Sequence, residues 1–145
     1  KGYSITTHKP DACPQIPFML VEAKVGATPM GEKLRFAGTL ELAGMDLSIN
    51  RRRVAAIMNA VPQYVPAWAP GVLELIEVWR GLRPCTPDGL PFLGRTAAYD
   101  NLTVAAGHAM IGISLGPVTG AITARLVQGE DPGFDLDLCA VDRFN

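Results

Sequence analysis

Cysteine and histidine are scarce in this chain. Cys13, Cys85 and Cys139 are odd in number, far apart and free of any C-x-x-C spacing. Neither a disulfide framework nor a zinc site is indicated, and a reducing compartment is the default. His8 and His108 are the only imidazoles, with no H-E-x-x-H and no cysteine pair beside either, so no metal site is expected. Charge of one sign is also lacking: 13 Lys and Arg stand against 14 Asp and Glu, and only Arg51, Arg52 and Arg53 cluster. That balance removes the electrostatic footprint of a nucleic-acid or membrane-surface binder. Long apolar runs are missing too, since the stretches at 17–21 and 111–115 fall far short of the ~20 residues a spanning helix needs.

What the chain does have is length and apolar content. Its 145 residues, 48% of them hydrophobic, match one globular domain or a piece of one. A chain of that size buries roughly two-thirds of its unfolded surface and can build a core without cross-links. Residue 1 is Lys, the first Met is Met19, and residues 2–6 already read as the middle of a folded segment with no charged-then-apolar leader before it. The expectation is an excised piece of a longer protein. Asn101-Leu102-Thr103 fits a glycosylation sequon, but such triplets arise by chance and carry no weight here.

Residues 3–7 are rich in β-branched and aromatic types and read as a strand, ended by Lys9-Pro10-Asp11. Residues 16–25 read as a second strand halted by Gly26, and the alternation over 33–43 reads as a third, half-buried one. Three strands on short turns predict an antiparallel meander. Ser48 and Asn50 are caps for a helix carrying Val54, Ile57, Met58, Val61 and Val65 at helical spacing, closed by Pro62 and Pro66. Residues 73–79 and 102–106 return to strand composition, while the Pro- and Gly-dense stretch 83–94 reads as irregular. A last helix is predicted to start with Pro117 at its first position and to stop at Gly129. No repeat, low-complexity tract or long linker divides the chain.

Few segments suggest chemistry. Gly26 to Lys33 has the glycine spacing of a phosphate loop, but Glu32 stands where the lysine belongs, so the stretch reads as a hairpin turn. G-x-G-x-x-G and G-x-S-x-G are both absent. The informative stretch runs Trp79-Arg80-Gly81-Leu82-Arg83-Pro84-Cys85-Thr86-Pro87-Asp88-Gly89-Leu90-Pro91-Phe92-Leu93-Gly94. Arg83 lies where a strand gives out into prolines and glycines, and its guanidinium is a rigid charged fork suited to a carboxylate. A surface ion pair is the plainer alternative for such an arginine. A second stretch places glycines at 107, 112, 116 and 120 ahead of the last helix. There the backbone can approach a planar group closely, with helix N–H groups offering an anion or carbonyl-oxygen site. A tight strand-to-helix connection accounts for the same spacing.

Together these stretches resemble the C-terminal part of the FAD-dependent D-amino-acid oxidase superfamily, with the D-amino-acid dehydrogenase small subunits as its nearest branch. The matching residues are Gly2-Tyr3-Ser4, Arg35-Phe36-Ala37-Gly38-Thr39-Leu40-Glu41, Trp79 to Pro84 with Thr86 to Pro91, and Ala106-Gly107-His108 with Gly112, Pro117, Thr119 and Gly120. They occur in family order across nearly the whole chain.

The resemblance implies an α+β fold: an antiparallel substrate-domain sheet with helices on one face over 1–80, then a flavin-contacting strand-turn-helix over 81–145. The dinucleotide-binding N-terminal part is absent. It implies that Arg83 holds the substrate carboxylate, that Tyr3 lies on the strand of the pocket wall, and that Met110 stands where some relatives place a polar substrate contact. Gly107, His108, Ala109, Met110, Ile111, Gly112, Ile113 and Ser114 match the segment passing the flavin's pyrimidine edge. FAD is the implied cofactor, a D-amino acid or small amine the substrate, and oxygen or a quinone the electron acceptor. Hydride leaves for the flavin and the imine hydrolyses to a keto acid and ammonia, so no acid-base residue is nominated and His108 reads as structural. A cytoplasmic or inner-membrane-associated location follows, with the piece alone inactive and prone to self-association. The alternative is a non-catalytic interaction module that kept the family's sheet.

Overall fold

The computed structural model describes residues 1–145, which form two compact units, Lys1–Leu82 and Arg83–Asn145, joined without a linker. The first holds the strands β1 (Gly2–His8), β2 (Phe18–Leu20), β3 (Val25–Met30), β4 (Lys33–Gly38) and β5 (Leu75–Gly81) and the helix α1 (Arg51–Tyr64). All neighbours in the sheet are antiparallel, in the order β2-β3-β4-β1-β5. The meander expected of 3–7, 16–25 and 33–43 is not formed by those three: β2, β3 and β4 make the meander, and β1 pairs with β4 and β5 rather than with the 16–25 stretch.

Alternation sets the layers. Tyr3, Ile5 and Thr7 point to one face with Val25, Ala27, Leu34 and Phe36, and α1 covers that face with Ile57 and Val61. Trp68, on a 3-10 turn after α1, sets its ring edge-on to Phe36 at 5.8 Å and donates its indole N–H to the Ala12 carbonyl at 3.0 Å. Asn50 caps α1 as expected, its side chain accepting from the N–H groups of Arg52 and Arg53.

Three boundaries differ from the sequence-based expectation. The strand predicted over 16–25 is two strands, β2 and β3, separated by a turn at 21–24 in which Lys24 takes a positive φ of 53°. Gly26 to Met30 is therefore strand rather than hairpin turn, and only Gly31-Glu32 turns. Pro29 misleads here: β2 pairs only as far as Ala27, so Pro29 faces no partner on that side and its missing N–H costs nothing. β4 stops at Gly38 rather than 43 because Thr39 adopts φ 70°. Pro62 lies inside α1, which runs on to Tyr64 and closes at Val65 before Pro66.

The second unit pairs β6 (Phe92–Arg95) with β7 (Thr103–Ala106) and packs α2 (Gly112–Gln128) against that hairpin, burying Leu93 and Ile122. The stretch read as wholly irregular thus contributes most of β6. Gly129 ends α2 as predicted: at φ 77° it donates to the Leu126 carbonyl while Glu130 donates to that of Arg125, a Schellman closure. The helix starts at Gly112, however, not at Pro117. Pro117 lies in the second turn, where it leaves the Ile113 carbonyl without its donor and crowds it, so it does not mark the first position. No helix is long and apolar enough to cross a membrane.

Candidate functional site

The second unit gathers its distinctive residues where β7 meets α2. After Ala106 the chain turns at Gly107, buried with φ 84°, where a Cβ would lie 2.7 Å from Thr86 Cγ2. Only glycine permits that approach. His108 forms an isolated antiparallel bridge with Cys85, and the Ala109 N–H donates to the Pro84 carbonyl at 3.1 Å. The segment that follows Arg83 is therefore zipped by backbone bonds onto the turn that opens α2, which the sequence placed far apart.

Arg83 stands at the end of that zipped segment, half-buried, with no ion pair, and its Nε is buried without a hydrogen-bond partner. This disposes of the plain surface-pair alternative in this structure. A guanidinium N–H left unmatched is a donor held ready for an acceptor such as a carboxylate.

The start of α2 is similarly unfilled. Ile111 provides no side-chain cap, no acidic residue lies in the first turn, and Leu115 is the first residue to bond back, to the Ile111 carbonyl at 2.9 Å. The N–H groups of Gly112, Ile113 and Ser114 therefore lack intrahelical acceptors. Around them Met110, Ile111 and Ile113 are exposed, Ile113 by 95%. Apolar side chains beside free N–H groups and a positive dipole end suit a flat, apolar group carrying an electron-rich edge. Gly112 has a second reason to be glycine, since a Cβ there would sit 3.2 Å from His108 Cβ. His108 itself is held by Thr119, Nε2 to Oγ1 at 3.0 Å.

Tyr3 belongs to the other unit. Its ring is 2% exposed, its hydroxyl donates to Glu41 Oε2 at 2.5 Å and accepts from the Asn50 N–H at 3.0 Å. That bond is the chief reason the Glu41 carboxyl is held below its ordinary value. Sequence reasoning quoted Arg35 and Asp88 within matching stretches but gave them no role and passed over Arg143; Asp88 and Arg143 brace the loop carrying Arg83, and Arg35 Nε is also buried and unpartnered. Nothing in the spacing pairs Asp88 with Arg143.

The sequence profile of the family described as FAD dependent oxidoreductase matches residues 1–126, and the chain belongs to that family. Among curated relatives, the D-amino acid dehydrogenase of Xanthobacter autotrophicus is 39% identical over 146 aligned residues, covering 99% of this chain and 34% of the relative. That of Bradyrhizobium diazoefficiens is 34% identical with the same coverage. Among solved structures, glycine oxidase from Geobacillus kaustophilus superposes with a TM-score of 0.87 at 29% identity, covering 99% of this chain and 38% of that one. Iminodiacetate oxidase from Chelativorans sp. BNC1 shares the fold at 22% identity and a TM-score of 0.83, covering 96% of this chain and 38% of that one. The chain spans about a third of the length of these curated relatives.

The family's cofactor is FAD, and the residues present fit one part of it. The uncapped start of α2 with its apolar surround suits the flavin ring, whereas no G-x-G-x-x-G turn exists here for the nucleotide half.

Proposed function

We propose that this chain supplies the substrate-domain and C-terminal portion, 1–80 and 81–145, of a flavin-dependent D-amino acid dehydrogenase. The observation that carries the reading is the unpartnered Arg83 guanidinium on a segment zipped to the turn at Gly107 and Ala109. Arg83 holds the substrate carboxylate, and Met110 borders the substrate. Residues 107–114 hold the flavin ring, the free N–H groups of Gly112, Ile113 and Ser114 facing its pyrimidine edge, where charge accumulates on reduction. The chemistry a bound flavin supplies is acceptance of the substrate's α-hydrogen as hydride, after which the imine and water give a keto acid and ammonia. The chain's own residues orient substrate and stabilise charge. No side chain here serves as general base; His108 is engaged by Thr119 and fixes the turn. The relatives' printed name favours a dehydrogenase, with oxygen or a quinone as the electron acceptor.

The test is the full-length protein, purified and assayed with D- and L-amino acids and small amines, with a dye acceptor and with oxygen alone. A yellow protein oxidising D-amino acids only with the dye supports the proposal. A colourless, inactive full-length protein overturns it in favour of the interaction module.

A further inference from the structure

Two arginines of the second unit are in opposite states. Arg83 has a buried Nε with no partner, whereas all five N–H donors of Arg143 are matched. Two go to the Asp88 carboxylate and the others to the carbonyls of Leu90, Pro91 and Ala140. The guanidinium also lies over the rings of Phe92 and Phe144, and only 10% of the Arg143 side chain is exposed. A guanidinium so fully engaged has no donor left for a ligand. What it does is fix residues 88–91.

Those residues continue the segment that begins at Arg83, and the four residues between have little freedom to absorb a shift. Pro84 and Pro87 lock two of their φ angles. The Cys85 N–H donates to the Arg83 carbonyl at 2.9 Å, the Thr86 hydroxyl to that of Leu90 at 2.7 Å, and the Leu90 N–H to Asp88 Oδ1 at 3.1 Å. At its other end the segment is bonded to the 107–109 turn through Pro84 and Cys85. A segment pinned at that turn alone could pivot about it; a second anchor at Asp88 removes the pivot.

We infer that Arg143 is a positioning residue for substrate binding: by clamping Asp88 and the Leu90 and Pro91 carbonyls, it holds the stiff segment 83–91 at the angle at which the Arg83 guanidinium meets a carboxylate. The inference rests on the carboxylate-binding role proposed for Arg83. A two-point contact with a planar carboxylate is sensitive to angle, so a small rotation of the segment loses one of its two bonds while the charge stays in place. The clamp therefore acts on affinity for the carboxylate and not on the transfer of the α-hydrogen.

The experiment uses the full-length protein. KM and kcat are measured with D-alanine and a dye acceptor, the affinity for propionate, a carboxylate with no amine to oxidise, by calorimetry, and the melting temperature on the same preparations. Arg143→Ala should raise KM and weaken propionate by roughly tenfold, less than removal of Arg83 itself, with kcat changed by no more than about twofold. Arg143→Lys keeps the charge without the fork and should restore only part of the affinity. Asp88→Asn should weaken propionate as well. The double variant Arg83→Ala with Arg143→Ala should bind propionate no more weakly than Arg83→Ala alone, because the clamp acts through Arg83. Should Arg143→Ala not fold, Arg143→Lys and Asp88→Asn carry the same comparison. A lowered melting temperature with wild-type KM and propionate affinity would make the pair a brace of the fold and overturn the inference, as would additive losses in the double variant. A raised KM in Arg83→Ala without one in the Arg143 variants removes the inference alone, whereas an unchanged KM in Arg83→Ala removes the reading on which it rests.

Discussion

Arg143 and Asp88, 55 residues apart, meet through two parallel bonds, Nε to Oδ2 at 2.9 Å and Nη2 to Oδ1 at 3.0 Å. The same guanidinium donates to the carbonyls of Leu90, Pro91 and Ala140 and lies 4.1 Å from the Phe92 ring centroid. A bidentate fork stacked on an aromatic ring is something lysine cannot reproduce. The C-terminal tail is thereby fastened to the proline-rich loop that leads away from Arg83.

The fastening is pH-dependent in a defined direction. Arg143 beside it holds the Asp88 carboxyl well below the ordinary carboxylate value. A depressed carboxyl stabilises the fold above its unfolded value of roughly 4 and loses that contribution as pH falls through the folded one. Asp88→Asn should therefore lower the melting temperature at neutral pH, with the gap to wild type closing as pH drops below about 4. Thermal melts of both proteins from pH 7 to 2 check this, and a gap independent of pH refutes it. Arg143→Lys should lower the neutral-pH melt as well.

Gly107 tests the zipper beside Arg83. Gly107→Ala carries two penalties, a positive φ of 84° and a contact with Thr86 Cγ2 at 2.7 Å. Strain of this kind costs ~1–3 kcal/mol. Adding Thr86→Ser deletes the offending methyl and keeps the hydroxyl that donates to the Leu90 carbonyl at 2.7 Å. The double variant should recover part of the lost stability in denaturant unfolding, since the φ penalty remains. Full recovery would show that the contact alone matters.

How much of this was legible beforehand depends on whether a residue acts through its neighbours in sequence or across the fold. β1, the Asn50 cap, the Gly129 stop and the choice of the segments at 79–91 and 106–120 as the candidate site follow from local patterns and motif resemblance. The boundaries misplaced by more than two residues involve proline or a non-glycine positive φ, whereas the strand expected over 73–79 is shifted by two residues to Leu75–Gly81. Pro29 sits in a strand because its far side has no neighbour, Pro117 sits inside a helix, and Lys24 and Thr39 take left-handed φ values that no composition announces. Asp88 and Arg143 are matched only by folding, so no spacing rule finds the pair.

Gly112 shows how the structure redirects a prediction. The resemblance puts Gly112 in the segment matched to the flavin's pyrimidine edge, where a valine side chain is expected to meet the ring. The Cβ direction instead aims at His108, whose Cβ would be 3.2 Å away. The substitution should first dislodge His108 from Thr119, a contact of 3.0 Å. Thr119→Val, which removes that partner without touching Gly112, should then reproduce part of the flavin loss in the full-length protein, read from the ratio of flavin to protein absorbance. Full flavin occupancy in Thr119→Val with loss in Gly112→Val would restore the direct explanation.

Tyr3 and Arg83 should give opposite signatures when truncated. The Tyr3 hydroxyl is spent inside its own unit, on Glu41 and on the Asn50 N–H at the start of α1. Tyr3→Phe leaves the Asn50 N–H without its acceptor, while Glu41 keeps the Asn50 side-chain amide at 3.3 Å and the Lys1 ammonium, and it lets the Glu41 carboxyl rise toward its ordinary value, because the lost bond is the main cause of its depression. Stability should fall while KM for amino acids stays near wild type in the full-length protein, since the Tyr3 side chain is buried and its hydroxyl already engaged. Arg83→Ala removes an unmatched buried donor, so its melting temperature should hold or rise. Its KM should increase by roughly 10²-fold through loss of a charged two-point contact. Steady-state kinetics and thermal melts on the same two preparations separate these roles. A KM defect in Tyr3→Phe of the size expected for Arg83→Ala would make Tyr3 a direct substrate ligand, and an unchanged KM in Arg83→Ala would remove Arg83 from the substrate.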